Sequence, residues 1–152
     1  MRVLIFSDSH GDTRKLREAL LRHPDITTAF HLGDGNRELE AAKDAFPDHT
    51  FYAVAGNCDF CCDAPAARIE TISGKKVLCA HGHMFGVKGG VYTYHLAALE
   101  RGVQLALFGH THIPYVEYAD GVYLFNPGSL RDGRYGIADI STAGIVMRHM
   151  EL

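Results

Sequence analysis

The chain has 152 residues, 47% hydrophobic and 22% charged, with a formal net charge of −3. That is ordinary globular composition, and the length reads as one domain, residues 1–152, able to bury a core without staples. It excludes a disordered tail, a collagen-like chain and a coiled coil, and the lack of a basic block argues against a nucleic-acid partner.

The first elements alternate strand and helix. Arg2–Phe6 is a short apolar run rich in strand formers. Asp12 or Thr13 caps a helix to about Arg22, with Leu16, Ala19 and Leu20 on one face and His23-Pro24 as its stop. Thr27–His31 reads as a strand, Arg37–Phe46 as a helix and Thr50–Ala55 as a strand. Ala67–Ile72 and Lys75–Ala80 flank Ser73-Gly74 as a hairpin. A glycine-rich loop leads to a helix at about Val91–Arg101, closed by Gly102. Gln104–Phe108 is a buried strand. Tyr115–Tyr118 and Val122–Phe125 join through Asp120-Gly121, and Tyr135–Ile140 and Ile145–Met150 join across Ser141–Gly144. Alternation followed by strands alone predicts two sheets with helices outside.

No apolar stretch reaches the length of a signal peptide or a membrane span. Cys58, Cys61, Cys62 and Cys79 crowd together instead of spreading as a disulfide framework. The expectation is a reduced, cytoplasmic protein with no membrane partner. Histidine stands out: 10, against 7 Tyr, 8 Phe and no Trp. It is the commonest metal ligand, so its excess needs a chemical reason.

The polar residues supply one. Five apolar runs end in Ser7-Asp8-Ser9-His10, His31-Leu32-Gly33-Asp34, Gly56-Asn57-Cys58-Asp59, His81-Gly82-His83 and Gly109-His110-Thr111-His112. In open α/β sheets the carboxyl ends of the strands form the ligand crevice, so these stretches are expected to converge. Gly33, Gly56 and Gly109 each precede a candidate ligand, where a side chain would obstruct a sharp turn or close approach. The resulting set is Asp8, His10, Asp34, Asn57, His81, His110 and His112. Oxygen and imidazole donors suit Mn²⁺, Fe or Zn²⁺ better than Ca²⁺ or an iron–sulfur cluster. Seven donors exceed one ion and suit two that share a carboxylate.

In this order the blocks resemble the calcineurin-like metallophosphoesterase superfamily, and most closely its small YfcE-type phosphodiesterase branch. That branch shares Gly56-Asn57-Cys58-Asp59 and Asn126-Pro127-Gly128-Ser129. The resemblance implies a four-layer α/β/β/α sandwich of two mixed sheets flanked by helices. It also implies a dinuclear phosphodiesterase with two divalent ions, Mn²⁺ first and Fe, Zn²⁺ or Ni²⁺ as alternatives. One ion would take Asp8, His10, Asp34 and His112. The other would take Asp34, Asn57, His81 and His110, with Asp34 bridging. A bridging hydroxide would attack phosphorus in line, with His81, His110 and Asp34 as the catalytic residues. Two divalent ions against Asp8, Asp34, hydroxide and a singly charged diester sum to neutrality, which favours a small-molecule diester over a monoester. Many relatives carry His where this chain has Cys58, and a thiol is a poorer acid near neutrality. Either a preference for good leaving groups or protonation of the leaving group through water follows. Asp59 is expected to orient a neighbour, and His83 either touches substrate phosphate or bonds to backbone.

Cys58-Asp59-Phe60-Cys61 matches a redox or zinc pair in spacing alone, without the helix or the second pair such sites need. Lys88-Gly89-Gly90 lacks Walker spacing and reads as a connector. His31 is a core residue or a support for the site, His95 packs, and His23, His49 and His149 are surface residues. The alternative to an enzyme is a non-catalytic interaction scaffold on the same fold, and a homo-oligomer is compatible with either.

Overall fold

The computed structural model describes residues 1–152, and none of its helices is long and apolar enough to cross a membrane. The elements are β1 (Arg2–Phe6), α1 (Thr13–Arg22), β2 (Thr28–His31), α2 (Asn36–Ala45), β3 (Thr50–Ala53), β4 (Ala67–Ile72), β5 (Lys75–Ala80), α3 (Tyr92–Glu100), β6 (Leu105–Leu107), β7 (Tyr115–Ala119), β8 (Val122–Asn126), β9 (Arg134–Ile140) and β10 (Ile145–Glu151). They build two five-stranded mixed sheets, β10-β9-β1-β2-β3 and β4-β5-β6-β8-β7. The parallel pairs are β1–β2, β2–β3, β5–β6 and β6–β8.

Alternation along the strands makes the layers. Val3 and Ile5 of β1 pack with Val77 and Cys79 of β5 and Leu105 and Leu107 of β6, between the sheets. Leu4 and Phe6 face the other way, onto Leu16, Ala19 and Leu20 of α1 and Leu39 of α2. Leu78, Ala80 and Ala106 face Tyr94 and Ala98 of α3. The order is helices, sheet, sheet, helix, the sandwich expected from the sequence. Full burial of a side chain such as Phe6 contributes roughly 1.5–3 kcal/mol.

Local signals hold in detail. The Asp12 carboxylate caps α1 by accepting from Lys15 N at 3.0 Å. Both hairpin turns have positive φ at their two central residues, 47° and 80° at Ser73-Gly74 and 52° and 83° at Asp120-Gly121. That is the mirror-image turn matching strand twist. β3 ends two residues earlier than expected, because Ala55 N turns away to Pro65 O at 2.8 Å. His23 and His49 are half-buried instead of free on the surface: His23 Nε2 lies 2.8 Å from the Tyr135 hydroxyl, and His49 stacks on Phe51. His149 is exposed but bonds Asn126 O at 2.9 Å, and His95 packs against Ala119 O at 3.2 Å.

Candidate metal centre

All seven predicted donors sit in loops past the carboxyl ends of β1, β2, β3, β5 and β6. Five of them hold left-handed backbone: Asp8, His10, Asp34, His110 and His112, with φ of 55°, 43°, 56°, 66° and 61°. Each such residue costs roughly 1–2 kcal/mol, and such strain gathers where a fold must aim side chains. Loop-to-loop hydrogen bonds hold it in place. Asp8 N donates to Gly33 O, His10 N to Asp34 O and Gly109 N to His81 O, each at 3.0 Å.

The donors converge. Asp8 Oδ1 lies 3.1 Å from His112 Nε2, 3.7 Å from His10 Nε2 and 3.8 Å from His81 Nε2. Asp34 Oδ2 lies 3.3 Å from His81 Nε2 and 4.0 Å from His10 Nε2. His10 Nε2 and His112 Nε2 are 3.2 Å apart. His81 Nε2 also faces Asn57 Oδ1 at 3.1 Å and His110 Nδ1 at 3.2 Å. Asp8 and Asp34 thus each stand between two histidine groups.

Too few protons are present for so many lone pairs. The neutral His81 ring donates through Nδ1 to Leu32 O at 2.7 Å, which leaves Nε2 as a lone pair aimed at other lone pairs. Asp8 is fully buried, yet its Oδ1 has no hydrogen-bond partner. A buried carboxylate oxygen left this way is costly unless a cation meets it. The donor set therefore fits divalent ions. Without one, a proton is drawn in: burial opposes charge on His81, but its bond to Asp34 and the charges of Asp8 and Asp34 outweigh this and raise its pKa. Burial also works against the Asp34 carboxylate, and His81 and the Cys58 N–H overcome that to hold it well below the usual range.

A second set of residues fixes these loops, and of them the sequence pointed only to His31. Asn126 donates from Nδ2 to Gly109 O at 2.8 Å and to Thr111 Oγ1 at 3.0 Å. The Ser129 hydroxyl donates to Asp8 O at 2.9 Å. The Asn-Pro-Gly-Ser block is thus a clamp on two donor loops. Buried His31 meets the Ser9 hydroxyl at 3.2 Å and accepts from Gly33 N at 3.3 Å, so it supports the site from within the core. Glu38 accepts from Ser9 Oγ at 3.2 Å and from Gly11 N.

Asp59 is tied to the backbone of two loops at once. Its carboxylate accepts from the backbone N–H of Asp34, Gly35, Asn36 and Gly56 at 2.7–3.0 Å, and from Asn36 Nδ2 at 2.6 Å. Gly35 offers α2 no side-chain cap, so this carboxylate caps the helix from another loop and ties Asp34 to Gly56. Burial raises its pKa, but the hydrogen bonds from Gly56, Asn36 and Asp34 prevail and the net shift is downward. Its stabilisation is therefore complete above the unfolded value of about 3.9 and is lost as pH falls through the lower folded value. Asp59→Asn turns a donor onto donors. We expect it to cost about 3 kcal/mol at neutral pH, with the gap to wild type closing in acid, as read by urea denaturation.

Cys58 and His83 complete the surroundings. Cys58 N donates to Asp34 Oδ1 at 2.7 Å, and its thiol lies near His10 and Asp34. The His83 ring centroid is 5.5 Å from that of His81 and 6.0 Å from that of His110, and its Nδ1 has no partner. A cavity of about 840 Å³ adjoins the centre at Cys58 and Asp59, and Arg37, Lys43, Phe51 and Phe60 are among the residues that line it. Cys61 and Cys62 line that cavity and belong to no donor cluster.

Two sheets whose strand ends pool carboxylates and imidazoles around one centre make the kind of site a metal-dependent hydrolase uses. The profile of the calcineurin-like phosphoesterase superfamily domain matches residues 1–146, and the chain belongs to that superfamily as a metal-dependent phosphoesterase. It is 37% identical over 132 residues to the probable metallophosphoesterase YsnB of Bacillus subtilis (strain 168), covering 86% of this chain and 76% of that one. It is 28% identical over 113 residues to the phosphodiesterase YfcE of Escherichia coli (strain K12), covering 64% and 57%. Its fold matches a conserved Streptococcus pneumoniae TIGR4 protein, described as a predicted phosphoesterase, with a TM-score of 0.84 at 23% identity, over 99% of this chain and 88% of that one.

Proposed function

We propose that residues 1–152 act as one domain that hydrolyses a small-molecule phosphodiester at a dinuclear centre. Asp8, His10, Asp34 and His112 would hold one divalent ion, and Asp34, Asn57, His81 and His110 the other. Mn²⁺ is the first fit to this oxygen–imidazole set, and Fe, Zn²⁺ and Ni²⁺ are the others. Such a pair, when bound, supplies an acidified water and a charge clamp for in-line displacement at phosphorus. The observation that carries the reading is the buried, partnerless Asp8 Oδ1 amid histidine nitrogens 3.1–3.8 Å away. A scaffold gains nothing from such an arrangement.

The chain's own residues divide the work. Leu32 O holds the His81 ring so that Nε2 faces inward. Asp34 Oδ2, 4.0 Å from His10 Nε2 and 3.3 Å from His81 Nε2, would be the shared donor. Asp8 Oδ2 accepts His110 N at 3.0 Å, which ties the two sheets together across the centre. His83, whose ring lies beside those of His81 and His110, would meet a phosphate oxygen at the centre, and the cavity beyond Cys58 has room for one ester group. No imidazole stands at position 58 to protonate a departing alcohol, so rates should depend steeply on leaving-group pKa. A reduced, cytoplasmic setting agrees with four free cysteines.

The test is hydrolysis of an activated aryl phosphodiester after chelation and after Mn²⁺ add-back. Chelation should abolish turnover and Mn²⁺ restore it. Asn57→Ala and His110→Ala should each lose on the order of 10²-fold or more. Full activity in the chelated protein, or in both variants, would refute the reading.

A further inference from the structure

The ligand sets above leave out one group that the fold brings to the centre. The Cys58 sulfur, a His10 ring nitrogen and an Asp34 carboxylate oxygen all lie within 4.8 Å of one another. We infer that the Cys58 thiolate is a further ligand of the cation held by His10 and Asp34, which gives that position nitrogen, oxygen and sulfur donors. This rests on the metal centre proposed above.

Three observations place the sulfur there. First, the Cys58 backbone is anchored to the centre, since its N–H donates to Asp34 Oδ1 at 2.7 Å. The loop is held again by Gly56 N, which donates to Asp59 at 2.8 Å. Second, the Asn57 amide spans both donors: Oδ1 faces His81 Nε2 at 3.1 Å, and Nδ2 donates to Cys58 Sγ at 3.3 Å. An amide N–H directed at sulfur is the hydrogen-bonding pattern found around protein metal–thiolate centres. Third, His10, a member of this trio, has its Nε2 3.7 Å from the fully buried Asp8 Oδ1, which has no partner, so the same imidazole faces an uncompensated carboxylate oxygen. Cys61 and Cys62, three and four residues on, join no such cluster.

The chemistry is simple to balance. On coordination the S–H bond breaks, the sulfur pair goes to the cation and the proton goes to solvent. A thiolate makes this position softer than its partner, so Zn²⁺ or Co²⁺ competes better there against Mn²⁺. It also takes the residue at position 58 out of service as an acid. The leaving-group dependence expected above then has a structural cause.

Cobalt tests this without any turnover. The full chain is stripped with a chelator and loaded with Co²⁺. Wild type should show visible d–d bands and, in the near ultraviolet, a thiolate-to-cobalt charge-transfer band. Cys61→Ser and Cys62→Ser should keep both. Cys58→Ser should lose the charge-transfer band. If the d–d bands fade with it, Cys58→His should restore them without the charge-transfer band. Failure of that restoration, or a charge-transfer band surviving in Cys58→Ser, overturns the inference. In wild type, d–d bands without charge transfer refute the sulfur ligand and leave the metal centre standing. Absence of both refutes the two together.

Discussion

Asp8→Asn should abolish metal-induced stabilisation while leaving the chelated protein at least as stable as wild type. The geometry dictates both halves. Asp8 Oδ2 accepts from Ser7 Oγ at 2.5 Å and from His110 N at 3.0 Å, and an Asn oxygen can keep both bonds. The amide nitrogen then occupies the Oδ1 position, 3.1 Å from His112 Nε2, and offers a donor where only lone pairs met. One of two buried carboxylate charges disappears, and Asn tolerates left-handed backbone better than most residues. The same amide repels a cation. At a metal concentration a hundredfold above its Kd, wild type should gain about 2.7 kcal/mol and the variant almost nothing. Hydrolysis should fall on the order of 10³-fold. Thermal melts with chelator and with Mn²⁺ read all of this. An equal metal-induced shift in the variant would place the cation elsewhere.

Gly56→Ala should be the most damaging single-methyl change near the centre. A Cβ there would stand 2.0 Å from Asp34 Oδ1 and 2.4 Å from Asp34 N. The backbone atom cannot yield, because Asp59 and the left-handed φ of 56° hold it. Overpacking of this kind costs about 3 kcal/mol, and the displaced carboxylate should weaken metal binding as well. Gly144→Ala is the control. Nothing lies within 4 Å of its added Cβ, and its φ is not positive, so stability should stay within about 0.5 kcal/mol. Parallel urea titrations decide it, and equal losses in both variants would deny that Gly56 is packed against Asp34.

Not every glycine–donor pair works through the same cause. Gly33 precedes Asp34 with a φ of 97°, a turn few side chains permit. Gly109 has no positive φ and is required by crowding instead, since a Cβ would meet Ser7 Oγ at 1.8 Å. The pattern of glycine before donor is visible in the chain, but the neighbour that enforces it comes from a distant loop. Asp59 is similar. Its place after Gly-Asn-Cys suggested support for the site, while its capping of α2 depends on a helix start 23 residues earlier.

Local chemistry was enough to read the strands, the helices, the mirror-image turns at Ser73-Gly74 and Asp120-Gly121, and to single out the seven candidate donors. Each of these depends on neighbours within a few residues, through apolar period, turn preference and donor type. Contacts across long separations depend on how two twisted sheets pack. Those contacts decided that Asp8 Oδ1 is left without a hydrogen-bond partner, that Asn126 and Ser129 clamp donor loops, that His31 supports the site, and that Cys58 reaches His10 and Asp34. The five left-handed donor residues belong to this second group. No local preference selects such backbone for Asp or His, and only the surrounding loops sustain it.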